Sequence, residues 1–148
     1  MRYKVLPQDW AGRKGDVVPD SGKKVLIADD EADVRAFVQA ALEDDGYAIL
    51  EARDGEAALA AARKQRPDLI ILDVHMPKKD GFAVFDDLRH DDATKAIPVI
   101  MLTGIKERTG IGFTAGEMGQ YYNSAPEAFI DKPVDPDVLR DTVAKLLK

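Results

Sequence analysis

The chain predicts an α/β fold, a doubly wound parallel sheet of five strands with helices on both faces. Three observations predict it. Most of five short β-branched or Leu-rich runs are apolar throughout rather than alternating, as in strands buried on both faces. Segments of helical period separate them, and turn or cap residues fall at the joints.

The elements follow in order. Val25-Leu26-Ile27-Ala28 is the first strand. Val34, Phe37, Val38, Ala41 and Leu42 then recur at i, i+3, i+4, i+7 and i+8, one apolar face of a helix. Gly46, after Glu43-Asp44-Asp45, suits its stop. Ala48-Ile49-Leu50 is the second strand, and the alanine-rich stretch 56–65 is strongly helix-prone. Pro67 ends that helix before the third strand, Leu69-Ile70-Ile71-Leu72. Residues 81–90, with Phe82, Phe85 and Leu88, form a third helix. Val99-Ile100-Met101-Leu102 and Ala128-Phe129-Ile130 are the last two strands. Asp135-Pro136 supplies an acidic cap and a first-turn proline for a final helix carrying Val138, Leu139, Val143, Leu146 and Leu147.

Composition narrows the function classes. The 148 residues suffice for one domain, and 45% are hydrophobic. There is no cysteine, so disulfides, thiol nucleophiles and cysteine-ligated zinc are excluded. Two histidines, His75 and His90, are too few for a histidine-rich metal cage. A net charge of −6 argues against nucleic acid as the main partner. No apolar run approaches the ~20 residues of a membrane span, and the first residues lack the apolar region of a signal peptide. A soluble, cytoplasmic protein without a membrane partner is expected. Residues 1–23 hold five Lys/Arg and three Asp/Glu, a net of +2 against −8 for the remainder. With Pro7, Gly12, Gly15, Pro19 and Gly22 and no apolar period, they read as a flexible extension, with Trp10 the one residue suited to docking. Residues 24–148 are expected to form the domain.

In parallel sheets of this kind the functional site lies at the carboxyl ends of the strands. The first strand ends in Asp29-Asp30, the third in Asp73, the fourth in Thr103-Gly104 and the fifth in Asp131-Lys132-Pro133. Two carboxylates ~4 Å apart repel by ~1 kcal/mol in water and ~4 kcal/mol at an effective dielectric of 20. Asp29, Asp30 and Asp73 together call for a hard divalent cation, and Mg²⁺ suits oxygen ligands better than zinc does. Beside such a cation and the Lys132 ammonium, an aspartate can attack phosphorus and form an acyl phosphate.

The set Asp29-Asp30, Asp73, Thr103 and Lys132-Pro133, with the stretches VLIADDE, LIILDVHMPKKDG, PVIMLTG and AFIDKP, resembles the response-regulator receiver domain of two-component signalling. The resemblance covers about residues 24–148 and implies the flavodoxin-like strand order 2-1-3-4-5. It implies that Asp73 is the phosphoacceptor, that Asp30 holds Mg²⁺ with help from Asp29, and that the backbone carbonyl of His75 adds a ligand. Lys132, before a cis proline bond, would bind the phosphoryl oxygens. Thr103 would hydrogen-bond the phosphoryl group, and Phe129 would change rotamer on activation. A histidine kinase or histidine phosphotransfer protein would be the donor. As the chain ends after the last helix, the output is expected to be binding to a downstream protein or onward transfer, catalysing no reaction beyond its own phosphorylation and dephosphorylation. Whether activation also forms a homodimer is left open.

Two departures from the pattern stand out. Between Thr103 and Lys132 lie 28 residues, more than the family usually has, with five glycines in residues 104–119. A shortened or displaced helix carrying a mobile loop is expected there. Gly104 also replaces the alanine common after the threonine. Two rival readings remain: a receiver-like scaffold that signals without phosphorylation, and a Mg²⁺-dependent phosphatase using an aspartyl intermediate. The intact acidic set opposes the first. The second usually needs an acid two residues after the nucleophile, where His75 stands.

Overall fold

The computed structural model describes residues 22–104 and 126–147. The strands are β1 (Lys24–Ala28), β2 (Ala48–Ala52), β3 (Leu69–Asp73), β4 (Val99–Thr103) and β5 (Ala128–Asp131). All neighbouring pairs are parallel, in the order β2-β1-β3-β4-β5, the flavodoxin-like arrangement expected. The helices among the described residues are α1 (Ala32–Ala41), α2 (Gly55–Gln65), α3 (Gly81–Arg89) and α4 (Pro136–Leu146), with a 3-10 turn at Glu43–Asp45. None is long and apolar enough to cross a membrane.

Successive strand residues point to opposite faces, so each apolar run feeds two cores. Leu26, Ile70, Leu72 and Met101 meet Ala58, Leu59 and Ala62 of α2 and Val84, Phe85 and Leu88 of α3. Val25, Ile27, Leu69, Ile71 and Leu102 meet Val38 of α1, Leu42 just beyond it, and Leu139 and Val143 of α4. Each fully buried Leu or Ile stabilises the fold by roughly 1.5–3 kcal/mol.

Local chemistry sets the helix ends. Asp54 accepts from Ala57 N–H at 2.8 Å and Asp80 from Ala83 N–H at 2.9 Å, each satisfying a first-turn donor. Asp135 does the same for α4, accepting from Asp137 and Val138, with Pro136 in the first turn. Gly46, at φ 76°, ends the 3-10 turn in the left-handed region. Arg66, at φ 47°, ends α2 directly before Pro67.

Three details correct the apolar pattern. Phe37 is 45% exposed although it shares the period of Val34 and Val38. Neighbouring helical residues are ~100° apart, and Val38, not Phe37, is the one turned into the core. Val138 is 51% exposed for the same reason, with Leu139 buried beside it. β5 lies at the sheet edge, so Ala128 and Phe129 are only partly covered and Ile130 alone of that run is buried. The expectations for residues 1–21 and for the glycine-rich segment 105–125 lie outside the described residues.

Candidate functional site

The parallel sheet brings every strand's carboxyl end to one edge. Ala28 pairs with Leu72, Asp73 with Leu102, and Thr103 with Asp131, so the expected residues fall within one or two register steps of each other. Asp29 is wholly buried and Asp73 is 2% exposed, whereas Asp30 is exposed. The Lys132 ammonium lies 3.0 Å from Asp29 Oδ2 and 2.9 Å from Asp73 Oδ1. Asp29 Oδ1 accepts from Glu31 N–H at 2.9 Å, which turns the chain into α1.

Burial pushes the Asp73 carboxyl up to about 6; the negative charges of Asp29 and Asp30 push the same way, against the hydrogen bond from Lys132. Burial works against the Lys132 charge too, but its hydrogen bonds to Asp73 and Asp29 outweigh this and hold it above the ordinary lysine value. The pocket therefore carries excess negative charge even with its own ammonium in place.

A hard cation fits these residues. One carboxylate oxygen from each of Asp29, Asp30 and Asp73 can be taken within 4.8 Å of one another. All three are oxygen donors, as Mg²⁺ prefers. Two of the carboxylates are buried, where their mutual repulsion is strongest.

The other expected residues are placed as follows. Thr103 is buried, and its hydroxyl donates to Asp131 Oδ1 at 3.2 Å. Phe129 is partly buried against the core shared with α2 and α3. His75 is exposed in the loop between β3 and α3. The Lys132–Pro133 bond is cis, as expected.

Three contributors had no assigned role in the sequence reading. Asp131 was visible only as part of a strand end. Arg35 Nη1 donates to the Asp29 backbone carbonyl at 2.7 Å while Nε donates to Glu51 at 3.1 Å. A cation near a helix amino terminus is unfavourable without an anionic partner, which was the available signal. Gly81 packs against the site's own backbone: a Cβ there would collide with the Asp73 carbonyl oxygen and crowd Val74.

A buried carboxylate thus faces an ammonium within an acid cluster at the carboxyl edge of a parallel sheet. The family model for the response regulator receiver domain matches residues 25–144, and the chain belongs to that family. Receiver domains are signalling domains of two-component systems. The response regulator PleD of Caulobacter vibrioides is 37% identical over 126 residues, 84% of this chain and 26% of PleD. The "Probable transcriptional regulator ycf27" of Guillardia theta is 34% identical over 133 residues, 90% of this chain and 48% of that protein. This chain thus spans about half the length of such relatives, or less. Among solved structures, the chemotaxis response regulator CheY4 of Vibrio cholerae superposes with a TM-score of 0.71 at 34% identity, over 84% of this chain and 98% of CheY4.

Proposed function

We propose that this domain accepts a phosphoryl group on Asp73 from the phosphohistidine of a histidine kinase or histidine phosphotransfer protein. The observation that carries the reading is the Asp73 carboxylate, buried yet 2.9 Å from the Lys132 ammonium, beside the Asp29 and Asp30 carboxylates.

Asp29, Asp30, Asp73 and the backbone carbonyl of His75 would hold Mg²⁺. When bound, that ion supplies charge neutralisation to the carboxylates and to the phosphoryl oxygens. An Asp73 oxygen forms the new bond to phosphorus as the bond from phosphorus to the donor's ring nitrogen breaks. That nitrogen keeps the electron pair and takes a proton from solvent. Lys132 neutralises the phosphoryl oxygens, and Asp29 holds Lys132 in place. The product carries about −1.5 to −2 charges on a residue that carried one. Thr103 turns its hydroxyl toward the new group, and Phe129 moves into the space released. The change biases an existing equilibrium between two surfaces around β4 and β5, which a downstream protein, or a second copy of the chain, would read.

The donor would dock beside Lys132. Asp33, Val34, Phe37, Lys132, Pro133 and Val134 line one groove there, and the exposed Phe37 ring gives it an apolar wall.

Incubation with acetyl phosphate and Mg²⁺, read by intact mass, tests the reading. Wild type should gain one phosphoryl group, and Asp73→Asn should gain none. Equal masses for the two, with the fold intact, would favour a scaffold that signals without phosphorylation.

A further inference from the structure

We infer that Asp131 is a positioning residue for Thr103, whose hydroxyl it holds until a phosphoryl group arrives, so that it helps set how readily the site is occupied. The inference rests on the phosphoacceptor reading above and adds to it a residue that reading does not use.

Thr103 and Asp131 are register partners at the last paired position of β4 and β5, and their side chains share one face of the sheet. Thr103 Oγ1 donates to Asp131 Oδ1 at 3.2 Å. A hydroxyl has one hydrogen to donate, so it cannot serve Asp131 and a phosphoryl oxygen together. Thr103 is 3% exposed, so water offers its hydroxyl little alternative. Lys132 is the next residue along the chain, yet its ammonium goes to Asp29 and Asp73. The two adjacent charges are thereby divided: the cation serves the acid pocket and the anion serves Thr103.

Occupancy of the site therefore exchanges one hydrogen bond for another. It also brings a second anion toward the hydroxyl that Asp131 holds. Phe129 stands two residues before Asp131 on the same strand face, directly paired with Met101. The Thr103–Asp131 pair is thus the next pair along the sheet face that carries Phe129.

The test separates charge from contact. Asp131→Asn and Asp131→Ala both remove the charge, but only the asparagine retains an acceptor for Thr103. Each is made alone and with Thr103→Val, and beryllofluoride with Mg²⁺ is titrated by NMR into the whole chain. Asp131→Ala should bind the fluoride roughly three- to tenfold more tightly than Asp131→Asn, the worth of one net hydrogen bond. In the Thr103→Val background the two should bind equally. Without fluoride, scalar couplings should show one Thr103 χ1 rotamer in wild type and Asp131→Asn, and averaging in Asp131→Ala. Equal affinities of the two single variants, a gap that survives Thr103→Val, or an unchanged rotamer would each overturn the inference. A wild type that binds no beryllofluoride would instead remove the phosphoacceptor reading, and the rotamer measurement would still decide the contact.

Discussion

Lys132 reaches Asp73 Oδ1 at 2.9 Å and the wholly buried Asp29 at 3.0 Å, so that one ammonium bridges both buried carboxylates. Removing one partner of a buried ion pair strands the others. Lys132→Met should therefore cost about 3 kcal/mol in urea unfolding at pH 8 without divalent cations. Mg²⁺ should recover part of that loss, because a cation held by the same carboxylates takes over the ammonium's electrostatic task. Identical midpoints with and without Mg²⁺ would show that the cluster does not hold the ion.

The raised pKa of Asp73 gives stability a definite pH dependence. Its value of about 6, against an ordinary 3.8, means that the folded chain binds this proton more tightly than the unfolded chain. Ionisation of Asp73 thus destabilises the fold. The penalty is absent below the unfolded value, builds as pH rises toward 6, and is complete above it, at up to about 3 kcal/mol. Asp73→Asn cannot ionise. In EDTA the variant should be the more stable protein at pH 7, with the gap closing toward pH 4. Parallel stability curves for the two would contradict the burial argument.

Much of this was legible because strand and helix periods differ and because the site residues stand at strand ends. Asp29, Asp73, Thr103 and Lys132 could be placed on one edge as soon as the sheet was known to be parallel. Asp135 caps the last helix as its place before Pro136 suggests. What stayed hidden depended on contacts between distant segments. Arg35 finds Glu51 across 16 residues and the Asp29 carbonyl across six, and nothing local announces either partner. Phe37 obeys the helical period, but periodicity does not say where the sheet stops covering the helix. Gly81 reads as an ordinary turn glycine, and only the packed β3 backbone shows that a side chain has no room there.

Arg35 offers a test of how firmly the acid pair is held. Its guanidinium fixes the carbonyl of Asp29 from one side while Lys132 fixes the carboxylate from the other. Arg35→Gln should weaken Mg²⁺ binding roughly tenfold, the lower end of the effect seen when groups that orient metal ligands are removed. The cost in overall stability should be small, since Arg35 belongs to neither buried apolar core. Calorimetric titration with Mg²⁺ measures the first, and urea unfolding the second. Unaltered Mg²⁺ affinity would mean that the β1–α1 turn is held adequately by the Glu31 N–H bond to Asp29 alone.

Phe37 separates the chemistry from the docking of the donor. An aromatic side chain left 45% exposed beside Lys132 adds nothing to the acid pocket, and none of the site's polar contacts passes through it. It lines, with Val34, Pro133 and Val134, the groove beside Lys132 where the proposed donor would dock. Large aromatic side chains at the centre of an interface commonly contribute ~2 kcal/mol or more to binding. Phe37→Ala should therefore lower the rate of phosphotransfer from a cognate histidine-containing donor by ten- to thirtyfold, about 1.4–2 kcal/mol, at donor concentrations below saturation. Labelling by acetyl phosphate, a donor too small to span the groove, should keep its wild-type rate. A parallel fall in both rates would place Phe37 in the support of the site itself, and no fall in either would move the docking surface elsewhere on the domain.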